Sequence, residues 1–286
     1  MLASAMPNGK APDWSAEAAI AMMDANGIAE GILSVSAGPP IPNASILLRE
    51  CNDAAAELRA RYKGRFGSFA SLPLPDVDAS LEEVAYCLDD LQVDGFIVFT
   101  SYEGRYLGDE LYAPLWRELN RRKAVVFIHP NQPPYETPRV APMSVLEFPF
   151  ETTRTAASLI VSGAMVSYRN IRFILSHAGG ALPFLVPRLT LSISMMPGVA
   201  DKVGDALQSI RSFYFDTALS AGDSTLSALT RVADPDHILF GTDFPFAPDD
   251  AIRNFNDVLE GSAVTGFRKA DVYRNNAARL LGRALS

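Results

Sequence analysis

The strongest constraint in this chain is a repeated exchange of short apolar runs for helical segments. Seven strand-like runs, at about 29–35, 66–71, 95–99, 124–128, 171–175, 212–215 and 238–240, have cores that are mostly apolar on both faces. A strand apolar on both faces must be covered on both faces, as in a parallel sheet wrapped by helices. Between the runs, Leu47, Leu48, Cys51, Ala55, Leu58 and Tyr62 recur at helical spacing, as do Leu81, Val84, Ala85, Leu88 and Leu91. Ser15 is placed to cap a first helix, and Gly27 to end it. Further helices are predicted at about 109–122, up to Gly163, from Leu182, and along a continuous helical tail at 249–281. Alternating strands and helices predict an α/β fold with a mainly parallel sheet. A doubly wound sheet would need a glycine-rich phosphate loop after an early strand, and none occurs. The better match is a TIM-barrel-type (β/α)8 fold with seven strands identifiable and the first missing, in one domain over 1–286. The Pro-rich stretch 129–142 reads as a loop over a site, because strand–helix alternation resumes after it.

Composition removes several classes of function. The net charge is −8, and no basic cluster marks a nucleic-acid surface; a small anionic substrate remains compatible. No run of about 18 apolar residues is present, so no membrane-spanning segment is expected. The first residues, to Trp14, read as a loop without a signal-peptide layout. Cys51 and Cys87 sit on helix faces shared with Leu and Ala, as packed thiols rather than metal ligands. That fits a reducing, cytoplasmic location.

The polar residues that do carry chemistry stand at strand ends. The run 124–128 leads to His129, 171–175 to Ser176 and His177, 212–215 to Asp216, and 238–240 to Asp243. In a parallel barrel these ends share the face on which active sites are built. Asp243 is followed at once by Phe244, Pro245 and Phe246, and an acid in apolar surroundings is costly unless a cation meets it. Imidazole nitrogen and carboxylate oxygen suit a divalent metal ion. The bland readings are that Asp216 caps a turn and that His237, which precedes its strand, is structural at the opposite face. Gly179 and Gly180 would let the chain turn tightly after His177.

The segments "FIHPNQPP", "EFPFETTRTAASLIVSG", "IRFILSHAGGALPFLVPRL" and "ILFGTDFPF" together resemble the amidohydrolase superfamily. Within it they resemble the decarboxylase branch related to aminocarboxymuconate-semialdehyde decarboxylase, with a lean towards 6-methylsalicylate decarboxylase-like members. The resemblance covers nearly the whole chain from "DWSAEAAIAMM". It implies His129 and Asp243 as metal ligands, His177 and Asp243 as catalytic residues, and His177 as proton carrier. It implies Arg188 as a substrate-carboxylate ligand offered across a homodimer interface, with Phe246 walling the pocket. The implied cofactor is a divalent metal, zinc first and manganese second.

One departure matters. The family opens on a strand ending in H-x-H, which supplies two further ligands. No H-x-H occurs among the three histidines of this chain. The expectation is therefore a barrel short of its first strand, as a shortened reading frame or a relative that has lost catalysis, with exposed strand edges. Three functions remain open at this stage: a nonoxidative carboxy-lyase of a small aromatic or unsaturated acid, a metal-dependent lactone or amide hydrolase, and a non-catalytic relative. With so few ligands, the purified chain is expected to carry well under one zinc per molecule by elemental analysis; stoichiometric metal would contradict the ligand count.

Overall fold

A computed structural model describes residues 12–35, 43–138 and 140–284. The opening loop to Gly9 and Lys10 lies outside these residues, apart from its last positions. Seven parallel strands form one sheet: β1 Gly31–Leu33, β2 Phe66–Ser71, β3 Gly95–Phe99, β4 Val125–His129, β5 Arg172–Leu175, β6 Tyr214–Asp216 and β7 Ile238–Leu239. The strands follow one another in chain order across the sheet, each paired in parallel with the next. The sheet curls into a half-barrel, and among the described residues β1 and β7 are its edges.

Helices cover the convex face. They are α1 Ala16–Ala25, α2 Ala44–Arg61, α3 Val77–Asp89, α4 Ala113–Arg122, α5 Glu147–Val161, α6 Leu182–Ser194, α7 Pro197–Val203, α8 Ala206–Arg211, α9 Asp223–Leu229, α10 Asp249–Gly261 and α11 Asn276–Leu280. The cap of α1 is as expected: Ser15 accepts from the Ala18 amide at 3.0 Å, and Gly27 takes a left-handed φ of 66°. The main core lies between helices and sheet, around Trp116, Phe96, Phe173 and Phe213. A second cluster sets Ala16, Ala19, Met22 and Met23 of α1 against Phe66, Ala247 and Ile252, so that α1 bridges the two ends of the sheet. On the concave side, Leu280 of α11 packs against Phe69, Ile97, Val125, Ile174 and Leu239. No single helix among the described residues is long and apolar enough to cross a membrane.

The expected strand positions agree with the structure to within a few residues. Three local features differ from expectation. A small hairpin, Ser101–Tyr102 with Arg105–Tyr106, follows β3. Two short helices, α7 and α8, fill the stretch before β6. The tail is not one helix: α10 stops at Gly261, and helical structure resumes only at Lys269. Gly266, at φ 106°, lies in that break, a backbone conformation glycine adopts without steric cost.

The α2–α3 layer is held to the sheet by one buried amide. Asn52, 3% exposed, donates to the Ser71 carbonyl at 3.0 Å and to Glu83 at 2.8 Å, and accepts from the Ser71 amide at 2.9 Å. Glu83 is itself buried and pairs outward with Arg49. Removing the amide leaves buried groups without partners, at about 1–3 kcal/mol each when truly orphaned. Asn52→Ala is therefore expected to cost about 2–4 kcal/mol, read as a lower urea midpoint with an unchanged slope.

Candidate active site at the mouth of the half-barrel

His129 is the last residue of β4. Parallel strand geometry turns alternate side chains to the concave face, where Val125 and Phe127 precede it. Its ring is boxed by Phe99 and Phe127, each with its ring centroid 6.2 Å away, and by His177 at 6.0 Å. Two residues after β5, His177 and Ala178 take left-handed φ values of 53° and 54° and begin a turn continued by Gly179 and Gly180. Gly180 is required by contact: a Cβ there would lie 2.0 Å from the Pro149 carbonyl oxygen. Thr153 completes the junction, donating to the Pro149 carbonyl at 2.8 Å and accepting from the Ala181 amide at 2.9 Å. The segments "EFPFETT" and "SHAGG" thus fit one another across the top of α5, and this contact re-aims the chain at His177.

Asp243 sits four residues beyond β7, at φ 59°, with 17% of its side chain exposed. Its two oxygens face the two imidazoles: Oδ1 lies 3.8 Å from His129 Nε2, and Oδ2 lies 3.7 Å from His177 Nε2. These distances are too long for hydrogen bonds. They are close to the roughly 3.4 Å that separates two ligands each about 2.1 Å from one tetrahedral ion. The Nδ1 atoms of both histidines are buried without a hydrogen-bond partner among the described residues. Burial pushes the Asp243 carboxyl up, but its contacts with His129 and His177 outweigh this and hold it well below the usual carboxylate range. Burial pulls His177 down, yet Asp243, together with the charge of Asp216, leaves it raised.

Two imidazoles and a carboxylate are a suitable donor set for a divalent metal, and their Nε2 and Oδ atoms converge. The set is partial: among the described residues no group of three or more His, Cys, Asp or Glu is arranged as a complete metal site. The other expected residues are distributed differently. Phe246 is half-buried, three residues after Asp243. Arg188 is not in the mouth. It is exposed on α6 and lines a groove of about 210 Å³ with Thr153, Leu182, Leu185 and Ser192. Asp216 serves a turn, as its bland reading had it, through the Ala218 amide at 3.0 Å, but it also accepts from the His177 amide at 2.8 Å. His237 is structural, stacked on Tyr214 with ring centroids 3.9 Å apart. Cys51 and Cys87 are free thiols, and Cys87 is buried against Asn52 and Glu83. Residues 132–137 of the Pro-rich stretch, with Met143, line a cavity of about 600 Å³, and its walls do not include the His–Asp cluster.

A family model for amidohydrolases matches residues 8–283. The chain belongs to the amidohydrolase family. Among curated relatives, a 6-methylsalicylic acid decarboxylase of Aspergillus aculeatus is 43% identical over 95% of this chain and 87% of its own length. Among solved structures, an amidohydrolase II superposes with a TM-score of 0.90 at 28% identity, covering 98% of this chain and 92% of that one. A 2,6-dihydroxybenzoate decarboxylase from Rhizobium gives 0.77 at 27% identity, covering 94% and 88%. A 5-carboxyvanillate decarboxylase of the same fold, at 22% identity, TM-score 0.79 and coverage of 93% and 79%, was solved with manganese and a nitrobenzoic acid. The amidohydrolase assignment agrees with the resemblance carried by the four sequence segments, and the seven-stranded half-barrel with the expected fold.

Sequence reasoning missed the aromatic box around His129 and the Asp216–His177 contact. The first left a signal, Phe99 at the end of its strand and Phe127 two positions before His129. The second had none, because it joins side chain and backbone across strands.

The charges at the mouth fix a pH window for the metal-stripped protein. His177, raised above its ordinary 6.5, contributes stability that is full below that value and is lost as pH rises through its folded value. Asp243, lowered from 3.8, contributes stability present above that value and lost as pH falls through its folded value. Thermal melts in chelator are therefore expected to weaken on the alkaline side of neutrality, and His177→Gln is expected to flatten that limb.

Proposed function

We propose that this amidohydrolase is a nonoxidative decarboxylase of a small hydroxylated aromatic acid, of the 6-methylsalicylate or 2,6-dihydroxybenzoate kind. The observation that carries the reading is the convergence of His129 and His177 Nε2 on the two oxygens of one buried carboxylate, at the C-terminal mouth of a parallel half-barrel. The relatives named above support the reaction class. His129 and Asp243 are the residues that would hold a divalent ion, with zinc the first candidate and manganese the second. Bound there, the ion would supply Lewis acidity towards the carboxylate and neighbouring hydroxyl oxygens of the substrate.

The rest of the chemistry falls to the chain. The reaction exchanges a proton for carbon dioxide. The ring carbon bearing the carboxylate takes a proton, and the C–C bond then breaks with its electron pair returning to the ring. His177 presents Nε2 to the same opening, within 3.7 Å of Asp243, and would carry the proton. Phe246 would wall the aromatic ring.

Arg188 would bind the anionic group of the substrate from a second copy of the chain. Its exposed position on α6, lining an outer groove with Leu182 and Leu185, is the reason for placing it there. The outer face of α6 is apolar around it, with Phe184 81%, Leu191 62% and Met195 73% exposed, as a homodimer contact requires. The guanidinium fork suits a carboxylate in bidentate fashion.

The deciding assay incubates the metal-supplemented protein with 6-methylsalicylate and 2,6-dihydroxybenzoate and measures carbon dioxide and the matching phenol. Equal amounts of both are expected. Turnover of a lactone or amide without carbon dioxide would establish the hydrolase instead, and no turnover of any kind a non-catalytic relative. His129→Ala and Asp243→Asn are each expected to weaken metal binding about 100-fold or more, measured by competition with a chromogenic chelator. For the dimer, His177→Ala and Arg188→Ala should each be inactive, while a random mixture of the two chains regains about a quarter of wild-type activity. No recovery on mixing would remove Arg188 from the partner's site.

A further inference from the structure

Asp216 ends β6 and is 7% exposed. Among the described residues it faces no cation at ion-pair distance. One of its oxygens, Oδ1, accepts the backbone N–H of His177 at 2.8 Å and that of Ala218 at 3.0 Å. The first of these crosses from β6 to the residues just after β5. It lands on the amide of a residue in the left-handed region, φ 53°, followed by Ala178 at φ 54°. Side chains with a Cβ adopt this conformation at a cost, so it persists only where the surroundings impose it. The His177 imidazole has no anchor of its own at Nδ1. Its direction is therefore set by its backbone, and its backbone amide is held by Asp216.

The same carboxylate is braced from the other side. Gly241 precedes Asp243 by two residues, and a Cβ at Gly241 would lie 3.2 Å from Asp216 Cγ and 3.2 Å from Ala218 Cβ. The Asp216 side chain thus fills the space between the end of β5, which carries His177, and the segment after β7, which carries Asp243. A displacement of the carboxyl group moves both partners of the 3.7 Å contact between His177 Nε2 and Asp243.

We propose that Asp216 is a positioning residue, which aims the His177 imidazole at Asp243 by holding the His177 backbone in its left-handed turn. The role rests on the decarboxylase reading only for its kinetic consequence; the aim of the ring is a property of the fold. Misplacing a proton-transfer group by about 1 Å costs on the order of 100-fold in rate. The side chain needs only an acceptor oxygen for this task, so an amide should replace it.

The experiment uses zinc-supplemented full-length protein labelled with 15N-histidine, whose three residues make the ring spectrum small. In Asp216→Ala the His177 ring signals are expected to move, with those of His129 and His237 in place, and in Asp216→Asn they should return towards wild type. With 6-methylsalicylate, kcat is expected to fall about 100-fold in the alanine variant and no more than about tenfold in the asparagine variant, with KM little changed. Should Asp216→Ala fail to fold, Gly241→Ala presses on the same carboxyl group and is expected to shift the same His177 signals. Unmoved His177 signals in a folded variant would overturn the proposal, as would a common shift of all three histidines. A wild-type protein that decarboxylates no hydroxybenzoate would overturn the functional reading, while the ring signals would still decide the role of Asp216.

Discussion

A carboxylate buried at the mouth of an apolar half-barrel has to be met by something, and in this chain Asp243 is met by two imidazoles. That one contact organises the site. It lowers the Asp243 carboxyl against the upward push of its own desolvation, and it raises His177 against the downward push of burial. Neither histidine has a hydrogen-bonded partner on its other ring nitrogen. The orientation of each is therefore borrowed: His129 from the aromatic rings of Phe99 and Phe127, and His177 from its backbone. A site with such supports depends on the packing around it more than on its own side chains.

That packing is unusually local to the ends of β4, β5 and β6. The turn after His177 lies against Pro149 so closely that only glycine fits at position 180. Thr153 then ties the turn to α5 through two hydrogen bonds. Further along α5, Glu151 is fully buried and accepts from Tyr106 and from Tyr135 of the Pro-rich loop. A single helix thus fixes both the histidine turn and the loop above it. Its strained neighbours are tolerated because the surrounding core, from Leu175 to Phe215, is close-packed.

The outer surface carries the other half of the functional argument. α6 begins beside the histidine turn and runs away from it, burying Leu182, Val186 and Ile193 while exposing Phe184, Leu191 and Met195. Arg188 stands within this exposed apolar stripe. An isolated surface arginine has no need of such surroundings, whereas one delivered to another chain does. On the proposed reading the site would belong to two chains, with the proton carrier on one and the carboxylate ligand on the other.

Much of this could be read from the residues in order. The apolar runs placed every strand of the main sheet, because burial on both faces leaves a continuous signal. His129, His177 and Asp243 were legible as a group because parallel strands bring their C-terminal ends to one face. What the order of residues did not carry was distance across strands. The helical tail looked continuous because the break near Gly266 costs a solvent-facing segment little. Asp216 looked like a turn residue because its partner, the His177 amide, lies 39 residues away in sequence. Arg188 looked like a site residue, and the fold set it on an outer helix face. Local periodicity and burial are written into sequence neighbours, so the sequence alone determined the class of fold and the chemistry at its mouth. Which groups touch is decided by the closing of the chain on itself, and only the tertiary structure determined how that chemistry is aimed.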